Sequence, residues 1–164
     1  MRMRVIGLVG VLFVLAACST PAPAPPPGGP GGPGGPPGGL GATSIVPGSQ
    51  HDLAATAGDR VFFEFNRSDI SSEAQQILAR QADWLRRYPN VAVRIEGHCD
   101  ERGTREYNLA LGERRAQAAK NVLVAEGIPA GRIATISYGK ERPIVVGSNE
   151  EAWAQNRVAI TTVQ

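Results

Sequence analysis

The chain has 164 residues with 17 basic and 15 acidic side chains, so it lacks the cationic excess that nucleic-acid binding requires. Its 20 glycines and 13 prolines crowd toward the N-terminal third. About 110 residues are left to build a core, enough for one small domain.

Arg2 and Arg4 form a short basic start, and Val5 to Ala17 is a mostly apolar run. The run is too short for a lasting membrane span and reads as a signal peptide over residues 1–17. Leu15-Ala16-Ala17-Cys18 resembles the lipobox of bacterial lipoproteins, which implies cleavage before Cys18 and attachment of lipid, palmitate included, to that residue. The other reading is a plain secretory signal with an incidental cysteine. Acyl chains would anchor the protein at about 0.8 kcal/mol per buried methylene. Ser19 stands where an aspartate in such lipoproteins signals inner-membrane retention, which implies an outer-membrane address. Loss of Arg2 and Arg4 with the signal leaves 15 basic residues against 15 acidic. With Cys18 lipidated, Cys99 has no partner for a disulfide within the chain and is expected to pack as a small hydrophobe.

Residues 18–57 are read as the lipidated N-terminus and a linker. Within them, residues 20–41 are nearly all Pro, Gly and Ala, without the strict glycine period of collagen. Nothing in that stretch can be buried, so it forms no core. Thirty residues of such a tether reach roughly 30 Å on average.

Residues 58–164 are read as the domain. Arg60 to Phe65 alternates, with Val61, Phe63 and Phe65 on one face, and predicts a strand. Asn66-Arg67-Ser68-Asp69 is a turn. Ser72 and Gln75 have the spacing of a capping box that opens a helix to about Tyr88, with Ala74, Ile77, Leu78, Trp84, Leu85 and Tyr88 as its apolar stripe. Pro89 and Asn90 stop it. Val91, Val93 and Ile95 alternate as a second strand. A second helix runs from about Tyr107 to Glu126 and ends at Gly127, with Leu111, Ala118, Ala119, Val122 and Leu123 facing the core. Ile133 to Tyr138 is a third strand, residues 150–156 form a short helical turn, and Val158 to Val163 is the last strand. The order β-α-β-α-β-β predicts an α+β domain with a mixed sheet and both helices on one face. Trp153 and Tyr138 read as core or edge packing.

The chemistry concentrates where the second strand meets the second helix. Glu96-Gly97-His98-Cys99-Asp100-Glu101-Arg102-Gly103-Thr104 is followed by Tyr107-Asn108-Leu109-Ala110-Leu111-Gly112-Glu113-Arg114-Arg115-Ala116. Gly97 is read as a sharp turn at the strand end. Asp100 then lies in the loop and Arg115 about two turns into the helix. An aspartate accepts from an ammonium and an arginine fork grips a carboxylate bidentately, so the pair suits a zwitterionic ligand. An internal Asp–Arg pair, or two solvated charges, is the alternative.

This wording closely resembles the OmpA-like peptidoglycan-binding domains and, among them, the branch called Pal. The likeness covers about residues 60–160. It implies a two-layer β-α-β-α-β-β sandwich in which Asp100 and Arg115 hold diaminopimelate, the zwitterionic cross-bridge residue of Gram-negative peptidoglycan. By the same resemblance Phe65 and Leu111 line the apolar side of the pocket. Thr104, Gly103 and nearby backbone N–H groups bond a carboxylate at the helix entry. Arg102 either joins them or is a solvated loop charge, and Tyr107 and Asn108 hold the loop in shape. Two departures stand out. Asn66 replaces an aspartate common in the branch, which weakens any ammonium contact there. Asn156-Arg157-Val158 replaces Asn-Arg-Arg, which removes one cation. The resemblance implies an outer-membrane lipoprotein of the Tol-Pal system whose domain faces the periplasm and binds peptidoglycan and TolB, the two competing for one surface. A module for a TolB-type partner with little direct wall binding is the alternative.

Catalysis is not expected. Adjacent His98, Cys99 and Asp100 in an extended segment point to alternate sides and do not converge as a triad. The other histidine, His51, lies in the linker region. The stretch has too few ligands for zinc, and no cofactor is implied.

Overall fold

A computed structural model describes residues 45–164. Residues 1–17, read above as a signal peptide, Cys18 and the Pro/Gly stretch lie outside the described residues. The elements run α1 (Gln50–Thr56), β1 (Arg60–Phe62), α2 (Ser72–Arg87), β2 (Val93–His98), α3 (Arg105–Ala125), β3 (Ile133–Gly139), α4 (Glu150–Asn156) and β4 (Val158–Val163), with a 3-10 turn at Ala130–Arg132 before β3.

The four strands form one mixed sheet in the order β1-β4-β2-β3. β2 and β3 pair in parallel, while β4 is antiparallel to both β1 and β2. β4 therefore fills the gap between two strands that run in the same direction. Its register sets Ala159 opposite Gly97 and Thr161 opposite Ile95, so these four point to one face. Thr161 donates to Gln81 on α2, and Gly97 lies against Gly112 on α3. Both long helices thus cover the same face, the expected two-layer α+β arrangement. Leu78, Trp84, Leu85, Val93, Ile95, Ala116, Ala119 and Leu123 fill the space between the layers.

Several local readings shift. The packed unit starts before residue 58, because α1 occupies part of the stretch assigned to the linker. Ser49 caps α1 through its hydroxyl, and Leu53 is fully buried in the core. Asp52 holds α1 down by accepting from Trp84 Nε1 at 3.0 Å and from the Gly48 N–H at 2.8 Å. The α2 cap is Ser71, whose Oγ accepts from the Ala74 N–H at 3.1 Å. Ser72 is then the first helical residue, and no Ser72–Gln75 box forms. β1 stops at Phe62. Phe63 still faces the core, but Phe65 has left the strand. Gly97 lies inside β2, and its reason for being glycine is not a turn. A Cβ there would sit 1.9 Å from the Gly112 carbonyl oxygen, so two bare backbones are what let α3 lie flat on β2.

Candidate functional site

Three chain segments meet at one end of the sheet. β1 and β2 run the same way, so the exits from both lie there: residues 63–67 after β1, and residues 99–104 after β2. β4 runs oppositely, so its entry, Arg157, lies there too. α3 begins beside the second exit, with Thr104 as its N-cap accepting from the Tyr107 N–H. The loop into α3 is held by Asn108, which donates through Nδ2 to the Arg102 and Thr104 carbonyls. Lys140 donates to the Glu101 and Gly103 carbonyls.

Between these segments opens a cleft of about 190 Å³ whose lining includes Phe65, Asn66, Asp100, Arg102, Leu111 and Arg115. Those six are the expected ones. The seventh, Thr104, does not line the cleft, and its hydroxyl oxygen accepts the helix-capping bond. Cys99, Tyr107 and Asn108 complete much of the wall.

Asp100 is only 4 % exposed. Burial pushes its carboxyl pKa up, but the bonds from Arg102 outweigh this and hold it below the usual carboxylate range. Its Oδ1 accepts from the Arg102 N–H and Nε, each at 3.2 Å, and Oδ2 accepts from Nη2 at 2.6 Å. The Arg102 guanidinium is itself sandwiched, 4.0 Å from the Phe65 ring centroid and 4.2 Å from that of Trp153. Arg102 is therefore a clamped charge, held between two rings while part of its side chain stays in solvent. Trp153, read as packing, supplies one face of the clamp and donates from Nε1 to Glu101 at 3.0 Å.

Arg115 is 1 % exposed. It donates from Nε to the Arg67 carbonyl at 2.9 Å, from Nη1 to His98 at 2.8 Å and from Nη2 to Glu64 at 3.1 Å. Burial lowers its pKa, yet a guanidinium stays charged. These bonds tie the two strand exits together, a structural duty that its sequence position does not reveal. A guanidinium has two N–H on each Nη, so each Nη keeps one outside the carbonyl bonds. No direct Asp100–Arg115 ion pair forms among the described residues; the two charges line one cleft.

Asn66 adopts a left-handed conformation at φ 58°, which Asn tolerates better than most residues. It accepts from the Tyr107 hydroxyl, so Tyr107 bridges the two walls as well as shaping the loop. Phe65, 55 % exposed, offers an apolar surface at the mouth. Cys99 is buried and its thiol donates to the Asn108 carbonyl at 3.3 Å; burial pushes its pKa up, which disfavours the reactive thiolate. His98 bonds through Nδ1 to the Arg142 carbonyl at 3.0 Å and not to Cys99.

Arg157 stands behind Asp100 and outside the cleft lining. It donates from Nε to the Phe63 carbonyl at 3.0 Å and from Nη2 to Glu150 at 2.8 Å. Its Nη1 stands 3.6 Å from Asp100 Oδ2. The only sequence signal was the Asn-Arg pair just ahead of the last strand.

The OmpA family profile matches residues 62–157, which brackets every segment of the cleft. A peptidoglycan-associated lipoprotein of Agrobacterium fabrum is 55 % identical over 123 residues, covering 75 % of this chain and 70 % of that protein. One from Pseudomonas aeruginosa is 48 % identical over 121 residues, covering 73 % and 71 %. The crystal structure of the peptidoglycan-associated lipoprotein from Burkholderia pseudomallei superposes with a TM-score of 0.63 at 39 % identity, covering 65 % of this chain and 90 % of that one. The chain therefore belongs to the OmpA family and, within it, to the peptidoglycan-associated lipoproteins.

Proposed function

We propose that this protein ties the outer membrane to the cell wall without a covalent bond, by gripping diaminopimelate of the peptidoglycan stem peptide in the Asp100–Arg115 cleft. Family membership makes it a binding protein and not an enzyme. The observation that carries the reading is one cleft lined by an ionised carboxylate, a buried guanidinium with N–H to spare, and apolar walls. The ligand's ammonium goes to Asp100, its carboxylate to the spare N–H of Arg115, and its methylene chain to Phe65 and Leu111. Backbone carbonyls have already oriented the Arg115 fork, so little side-chain entropy is lost on binding. The anchor is lipid on Cys18, with the domain in the periplasm at the end of the Pro/Gly tether. Many copies facing one polymer act multivalently, so one weak contact suffices. TolB and other Tol proteins are its protein partners by resemblance.

The test is titration of residues 41–164, a compact unit holding the whole core described above, with a diaminopimelate muropeptide and a lysine muropeptide. Lysine lacks the second carboxylate. Binding of the first with clear discrimination against the second is expected. Equal binding of both removes the role of Arg115, and binding of neither moves the Tol partner to first place.

A further inference from the structure

We propose that Arg157 is a positioning residue for Asp100: it takes over the carboxylate when a ligand ammonium displaces Arg102. This rests on the reading that Asp100 accepts the ammonium. Arg102 supplies all three hydrogen bonds that Asp100 receives from side chain and loop. A carboxylate offers about four lone-pair sites, and the Arg102 Nη2 bond is the short one, on Oδ2. An incoming ammonium competes for that oxygen. Once Arg102 yields, a buried carboxylate needs another donor to stay ionised and oriented.

Arg157 is built to be that donor. It is 6 % exposed, and its Nε and Nη2 are committed to the Phe63 carbonyl and Glu150. Its Nη1 is buried with no hydrogen-bond partner among the described residues, a costly state in a folded protein. At 3.6 Å from Asp100 Oδ2 it is within ion-pair range yet too long for a hydrogen bond. A shift of well under 1 Å closes it. The unsatisfied N–H is the reserve partner of an exchange: Arg102 bonds Asp100 in the free cleft, Arg157 in the filled one. Arg102 remains stacked between Phe65 and Trp153 and has a short way to return. The charges facing Asp100 are Arg102 from its own loop, Arg115 from α3 and Arg157 from the α4–β4 junction, with the Cys99 thiol beside it and Glu150 behind Arg157.

The experiment follows the Asp100 side-chain carboxyl by carbon NMR through a pH titration, with and without saturating muropeptide, in the parent fragment, Arg157→Gln and Arg157→Lys; muropeptide affinity at pH 7 is measured in these and in Asp100→Asn. Parent binding lost in Asp100→Asn establishes the acceptor; without that loss, the underlying reading fails first. Given that loss, Arg157→Gln is expected to raise the Asp100 midpoint and weaken binding by about tenfold, with Arg157→Lys in between. A purely structural Arg157 would weaken binding through the Phe63 loop and leave the midpoint alone. An unchanged midpoint with muropeptide bound in Arg157→Gln overturns the proposal. Should that variant not fold, Glu150→Gln, on an exposed side chain, tests the same link with opposite sign. Freed of its counter-charge, Arg157 should lower the Asp100 midpoint, and no lowering overturns the proposal.

Discussion

Replacing Arg115 by alanine should damage the fold as well as the cleft. The side chain is 1 % exposed and donates to the carbonyls of Arg67, His98 and Glu64. Two of these lie after β1 and one at the end of β2. Its guanidinium also stands 5.1 Å from the Phe63 ring centroid. Hydrogen bonds to a charged donor contribute about 1.5–3 kcal/mol each, but the three share one side chain and are not additive. Water can enter the space left beside an open cleft and satisfy part of the loss. The expected destabilisation is about 3–5 kcal/mol, more than one such bond and less than three added together. Urea unfolding of residues 41–164, parent against Arg115→Ala, measures it. Asp100→Asn keeps the side-chain shape and breaks a pair whose Arg102 partner is partly solvated, so it should cost less. An Arg115→Ala midpoint within about 0.5 kcal/mol of the parent would refute the argument and return Arg115 to a purely ligand-binding role. The comparison also matters for reading binding data: lost affinity in Arg115→Ala is not evidence of a ligand contact until the variant is shown to be folded.

Two further outcomes follow from the same geometry. Gly97→Ala would drive a Cβ to 1.9 Å from the Gly112 carbonyl; backbone has to move, and a loss of at least about 2 kcal/mol is expected in urea unfolding. His98 is buried, and burial pushes its pKa below the ordinary value. The native state therefore binds fewer protons than the unfolded one. Its contribution to stability is full above the unfolded value of about 6.5 and is lost as pH falls from there through the folded pKa. Stability measured from pH 7.5 downward should decline below about 6.5, and His98→Gln should flatten that limb; an unaltered limb assigns it to other groups.

How far the sequence reaches depends on the range of the interaction. The strands at 133 and 158, the stripe of α2 and the stop at Gly127 were legible because alternation, helical period and a left-handed glycine are written within a few residues. Asp100 and Arg115 were legible as a candidate pair because one loop and one helix carry both, and the resemblance supplied the ligand proposed for them. Other features were settled only by contacts across the fold. Ser71 and Ser72 are equivalent as letters, and the chain's path out of β1 decides which one caps α2. Gly97 reads as a turn until α3 is laid against it. Helix α1 is too short to announce itself and exists because Trp84 and the core receive Asp52 and Leu53. Arg157 comes within 3.6 Å of Asp100 because β4 is inserted antiparallel between β1 and β2, and its Nε bonds a carbonyl 94 residues earlier in the chain. The sequence alone thus determined the main strands, the two long helices and the charges Asp100, Arg102 and Arg115 of the candidate site. The tertiary structure decided which charges are clamped, which are committed to backbone, and which N–H finds no hydrogen bond among the described residues, because burial and pairing are properties of segments brought together by the sheet and not of any one stretch of chain.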